Sequence, residues 1–174
     1  MQIDQDISNS FCKMNNLANS NEYLLNEQIN IELSASYIYT ALYSYFKKDN
    51  IGYPGTAEYL KNSANEERSH AESIIEYLNT RGGTVILEGI QKPNFTFLDS
   101  PNNSLLLELF KYILDLEQSV YTNIIKISKT CNDPSTEDFF DDFIKEQLDT
   151  QYKLGIQIQQ LTSIGNNGFG YRSK

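Results

Sequence analysis

The chain predicts an all-α fold, a four-helix bundle with one long crossover between the second and third helices, and three observations carry that prediction. Apolar residues recur at helical spacing in four stretches. Short polar turns join the first stretch to the second and the third to the fourth, whereas residues 82 to 103 separate the second from the third. A short loop makes the two helices it joins antiparallel, so the long middle segment has to cross over between the two pairs.

A length of 174 residues suits one domain with a sizeable core. The division expected is a polar N-terminal arm over 1–19, the bundle over 20–164 and a short glycine-containing tail over 165–174. Asn19, Ser20 and Asn21 offer N-caps to the first helix. Its stripe follows as Leu25, Ile29, Ser36, Tyr39, Tyr43 and Phe46, fading at Lys47-Lys48-Asp49-Asn50. Pro54 opens the second helix, since proline suits the first helical position. Leu60, Ala64, Ala71, Ile74 and Leu78 form its stripe, and Arg81 with Gly82-Gly83 supplies a cationic end and a glycine stop.

Beyond Gly82 the pattern lapses, with Pro93, Pro101 and a stretch from Thr84 to Leu87 that suits an extended chain. The third helix begins near Ser104, carries Leu106, Phe110, Ile113, Leu114, Tyr121 and Ile124 on one face, and ends near Cys131-Asn132. Asp133-Pro134 is a restart, a cap followed by proline. Phe140, Phe143, Ile144, Leu154, Ile158 and Leu161 stripe the fourth helix, which stops before Gly165-Asn166-Asn167-Gly168.

Each stripe has one polar gap near its middle, filled by Glu32, Glu67, Glu117 and Gln147. All four lie about a dozen residues from their helix starts, roughly 20 Å at 1.5 Å per residue. Because that depth is near every helix midpoint, they meet at one level whichever way neighbours run. His70, the only histidine, is one turn beyond Glu67 on the same face, and Tyr39 is two turns beyond Glu32. A lone Glu-x-x-His reads as a solvated charged face more often than as a ligand pair; polar residues at one depth on all four helices reverse that preference. Burying three carboxylates without a cation costs several kcal/mol per group even after relaxation, by order of magnitude, and protonation is the other escape. Oxygen-rich ligation with a single imidazole suits non-haem iron better than structural zinc. Three carboxylates around two ions would let Glu67 bridge them.

The formal net charge of -9 argues against general nucleic-acid binding, which needs basic surface. No apolar run approaches a membrane span. Cys12 and Cys131 have no metal-ligand spacing and are expected as thiols in a reducing compartment. With no signal-peptide core in the first twenty residues, a cytoplasmic protein is expected.

At these residues the chain resembles the ferritin family, in particular the catalytic heavy-type subunits of eukaryotic ferritins. Asn26 to Leu33 with Ala35-Ser36-Tyr37, Glu66 to Glu72, Arg81-Gly82-Gly83, Leu116-Glu117, Asp133-Pro134 and Glu146-Gln147 carry the resemblance, which runs from about residue 20 to 164. It implies iron storage and detoxification in a shell of twenty-four subunits, with ferric mineral inside, built from one subunit type or from two. It also implies a ferroxidase that oxidises two Fe(II) with dioxygen or hydrogen peroxide. Carried over position by position, Glu32, Glu67 and His70 are similar to the first iron site. Glu67 as bridge, Glu117 and nearby Glu66 are similar to the second, with Gln147 as a neighbour of the centre and Tyr39 as the adjacent tyrosine.

Glu66, Glu146 and Asp149 are similar to an outer third iron site of some ferritins, solvated charge being the competing reading. Iron uptake at the three-fold axes of such cages uses acidic rings, which suits Glu137, Asp138 and Asp141. Counting back from Glu146-Gln147 puts Phe140 where one acid would sit, and counting forward from Pro134 puts Asp141 there. Ser69 stands where heavy-type subunits often carry a cavity-facing glutamate, which leaves Glu72. The family's fifth helix would have only residues 165 to 174 to be built from, so it is expected short or absent.

A non-catalytic light-type subunit would lack these ligands. A non-storage di-iron oxidase or peroxidase of rubrerythrin type favours a second Glu-x-x-His, but Val120 follows Glu117 at that spacing. A haem cage of bacterioferritin type wants a methionine on an inner helix face, whereas the only methionines are Met1 and Met14, so no haem is expected. A DNA-protecting miniature ferritin places its iron site between subunits, unlike a site within one bundle.

Overall fold

A computed structural model describes residues 17–99 and 105–168. The expected arm up to residue 16, Cys12 within it, and residues 169–174 lie outside the described residues. The described secondary structure is all helical: α1 (Asn19–Phe46), α2 (Pro54–Thr80), a single 3-10 turn over Thr96–Asp99, α3 (Leu105–Thr130) and α4 (Pro134–Gly168). Four long helices with one long connection after the second give the expected fold class. The chain groups into two compact units, one running to Pro93 and including Thr130–Asp133, the other holding Asn94–Lys129 and everything from Pro134 onward.

In the first unit α1 begins without the expected side-chain cap. Ala18 occupies the N-cap, and its carbonyl accepts from the amides of Asn21 and Glu22 at 2.9 and 3.0 Å. Glu22 in the first turn complements the positive end of the helix dipole instead. Pro54 starts α2 as expected. Its other end is a Schellman motif: Gly82 N–H donates to Asn79 O and Gly83 N–H to Leu78 O, both at 3.0 Å. Gly82 sits at φ +72°, a conformation glycine adopts without steric cost. Gly83 is needed for a different reason, because a Cβ there would run into the Leu78 side chain.

Leu25, Ile29, Tyr39 and Phe46 of the expected α1 stripe are buried, as are Leu60, Ala64, Ala71, Ile74 and Leu78 of α2. Ser36, at a half-buried stripe position, donates its hydroxyl to Ala64 O at 2.7 Å. The connection leaving α2 is pinned along α1 by three side chains one turn apart. Thr84 N–H donates to Glu22 Oε1 at 2.7 Å, and Asn26 Nδ2 donates to Thr84 O at 2.9 Å. Ile86 N–H donates to Asn26 Oδ1 at 2.7 Å, Asn30 Nδ2 to Ile86 O at 2.8 Å, and Glu88 N–H to Asn30 Oδ1 at 2.8 Å. One helical turn of four residues rises about 6 Å, and two residues of extended chain rise about 6.6 Å. The two repeats match closely enough for Thr84, Ile86 and Glu88 to meet Glu22, Asn26 and Asn30 in turn. Helix side chains thus satisfy backbone groups that a β partner would otherwise take.

In the second unit α3 buries Leu109, Phe110, Ile113, Val120, Ile124 and Ile127, and α4 buries Phe140 and Leu154. Phe95 and Phe97 pack against Tyr112 with ring centroids 5.6 and 5.4 Å apart, fixing the 3-10 turn to the start of α3. Burial in that cluster pushes the Tyr112 hydroxyl pKa up. The expected stop before Gly165 is not observed, since α4 continues through Gly168. Glycine costs only about 1 kcal/mol in a helix, and extending an existing helix needs no new nucleus.

Candidate metal centre

Glu32 lies near the middle of α1, in a face that also carries Leu25, Gln28, Ile29, Ala35 and Tyr39, all buried. Glu67 lies near the middle of α2 between the buried Ala64 and Ala71, and His70 follows one turn later. Tight packing at these small residues carries both carboxylates indoors: Glu32 is 0% and Glu67 4% exposed. One ligand atom from each of Glu32, Glu67 and His70 lies within 4.8 Å of the other two. His70 Nδ1 is 3.8 Å from Glu67 Oε2.

Electrostatics of this group oppose two bare charges. Burial pushes the Glu32 pKa well above the ordinary carboxyl value, and the Glu67 carboxyl beside it adds to the rise. His70 and Gln28 pull the other way. Two carboxylates and one imidazole on rigid helices are a donor set for a divalent cation with a preference for oxygen. A cation held there would offset the negative charge that burial disfavours at Glu32.

Sequence reasoning passed over Gln28 as a site residue. Its Nε2 donates to Glu32 Oε1 at 2.6 Å, and Gln28 is fully buried. The available signal was a second polar residue inside an apolar stripe, one turn before the glutamate.

Glu117 and Gln147 come together in the second unit. Gln147 Nε2 donates to Glu117 Oε2 at 2.8 Å, and both residues are buried. Tyr39 is buried two turns after Glu32. The other expected residues are at the surface. Glu66, Glu146 and Asp149 are exposed, and Asp149 is paired with Lys153 of its own helix at 2.5 Å. Glu137, Asp138 and Asp141 are exposed on the first turns of α4, while Phe140 is fully buried. Asp141, and not position 140, therefore belongs to the acidic surface of that turn. Cys131 is buried and forms no disulfide among the described residues. Among the described residues no helix is long and apolar enough to cross a membrane.

The family described as Ferritin-like domain matches residues 22–164. The chain is similar to Ferritin-2, chloroplastic, of Zea mays, with 39% identity over 86% of this chain and 60% of that protein. It is 37% identical to Ferritin-2, chloroplastic, of Glycine max over the same shares. Ferritin-1, chloroplastic, of Brassica napus is 36% identical over 91% of this chain and 63% of its own length. The match thus spans about three-fifths of these relatives. Their names overturn the expected cytoplasmic location, because each reads chloroplastic. That expectation rested on the lack of a secretory signal-peptide core and of a membrane-length apolar run, neither of which bears on an organelle address.

Proposed function

This chain belongs to the ferritin family, and on that premise we propose that it stores iron by oxidising Fe(II) at the Glu32, Glu67 and His70 group. The observation that carries the reading is the convergence of two buried carboxylates and one imidazole within 4.8 Å. Iron is the substrate here. The carboxylates stabilise the ferric product through charge, because each negative ligand favours Fe(III) over Fe(II). Two Fe(II) give up one electron each, and dioxygen takes both with two protons to become hydrogen peroxide; peroxide as oxidant takes two electrons and two protons to become two waters.

In this reading, as family membership implies, Glu67 is the bridging ligand, Glu117 with Glu66 nearby serves a second iron, Gln147 neighbours that centre and Tyr39 is the adjacent tyrosine. Family membership supports that assignment, as does the burial of Glu117 and Gln147. The ferric iron then accumulates as mineral in a cage of twenty-four subunits. Glu137, Asp138 and Asp141 form an acidic uptake surface, and Glu66, Glu146 and Asp149 an outer iron site. A plastid is the compartment that the relatives' names support.

Stopped-flow oxidation of Fe(II) in air by the metal-free protein, with particle mass from light scattering on the same sample, tests this reading. Fast oxidation saturating near two irons per chain on a cage-sized particle is expected. A cage without fast oxidation would assign a structural role to the subunit, and oxidation on a small oligomer would assign a non-storage di-iron oxidase.

A further inference from the structure

Three glutamates are buried among the described residues, Glu32, Glu67 and Glu117. Two of them accept a hydrogen bond from a buried glutamine. Gln28 Nε2 reaches Glu32 Oε1 at 2.6 Å, and Gln147 Nε2 reaches Glu117 Oε2 at 2.8 Å. The Glu32 bond is the more telling, because Gln28 is 0% exposed and lies one helical turn from its acceptor, inside a stripe that hydrophobic packing would otherwise fill. An amide here costs desolvation that only good hydrogen bonds offset.

The terminal torsion of glutamate is broad and roughly two-fold, so its carboxylate turns easily and offers a metal one oxygen or two. With Oε1 held by the Gln28 amide at 2.6 Å, that rotation is restrained. The remaining oxygen, Oε2, is buried and accepts no hydrogen bond from a neutral donor among the described residues, with the Glu67 carboxyl beside Glu32. We propose that Gln28 is a positioning residue for the metal group of the first unit, fixing Glu32 so that it ligates iron through Oε2 alone. One-oxygen ligation keeps coordination positions open for the oxidant, whereas chelation by both oxygens would fill one of them. This inference rests on the iron reading above.

Co(II) titration of the metal-free protein tests it, read by calorimetry and by the visible Co(II) bands, whose intensity follows coordination number. Gln28→Leu should fold with unchanged helix content, bind Co(II) at the Glu32–Glu67–His70 group about 10- to 100-fold more weakly, and show altered band intensity. Should that variant fail to fold, Gln28→Met, unbranched and also without a donor, is read in its place against the same expectations. A folded variant with the wild-type isotherm and spectrum overturns the role of Gln28 while leaving the iron reading intact. Absence of Co(II) binding by the wild type, or wild-type binding by Glu67→Ala, overturns the iron reading and this inference with it.

Discussion

Arg81 Nη1 holds Asp133 Oδ2 at 2.7 Å, joining the residue that follows α2 to the turn that precedes α4. The same Nη1 reaches the Tyr77 hydroxyl one turn back at 2.5 Å, and the guanidinium stacks near the Tyr77 ring. The hydrogen bond to Asp133 raises the Arg81 pKa further above its already high value. Arg81 was read in the sequence as a dipole-neutralising end to α2 and Asp133 as a cap; each is also the partner of the other.

Asp133→Ala removes one side of that pair and leaves the mostly buried guanidinium behind. Stability should fall by about 2 kcal/mol, the scale of a hydrogen bond to a charged group. Chemical denaturation of both proteins measures it, and a shift within error of zero would show that Tyr77 alone suffices for Arg81.

Glu67→Ala should abolish fast Fe(II) oxidation, because the residue serves both irons in the proposed centre, while the particle still assembles. Removing a buried carboxylate need not destabilise a helical bundle. Stopped-flow absorbance with light scattering checks both halves, and retained fast oxidation would refute the site.

The acid-base balance of Glu32 sets a third expectation. Folding raises its pKa, chiefly by burial, above the ordinary 4.5. Between 4.5 and the raised value the folded state therefore binds more protons than the unfolded one. The stabilising contribution is full below that window and is lost as pH rises through the folded pKa. The metal-free protein should accordingly melt at lower temperature as pH rises across this window, and Glu32→Gln should flatten that dependence. In the same window Co(II) affinity should rise with pH, since the metal displaces a proton. Calorimetry in two buffers of different ionisation enthalpy counts the protons released.

Asn26→Leu should free the start of the crossover from α1, because Asn26 serves both Thr84 O and Ile86 N–H. Amide exchange at Ile86 should accelerate at least about tenfold, equivalent to about 1.4 kcal/mol of lost local protection. Unchanged protection would mean that Glu22 and Asn30 hold the segment without it.

Much of this molecule is legible from local pattern. The four helices follow from apolar spacing, Pro54 and Gly82 mark boundaries because proline and glycine act on their own torsions, and Glu67 with His70 share a face because three residues are nearly one helical turn. Glu32, Glu117 and Gln147 stand out as polar interruptions of apolar stripes, and all three are buried. These are properties of a residue and its near neighbours, so the sequence determined them by itself.

Tertiary structure decided the rest. The pairing of Arg81 with Asp133 and the docking of Thr84, Ile86 and Glu88 on Glu22, Asn26 and Asn30 join positions 52 to 62 residues apart. Single hydrogen bonds of that reach leave no period in a sequence. Whether the Glu32 carboxylate turns freely or is held by Gln28 likewise depended on how fully the helices enclose them, since an exposed pair at the same spacing would be solvated. The ligand types were written in the chain, and their burial and fixed geometry came from packing.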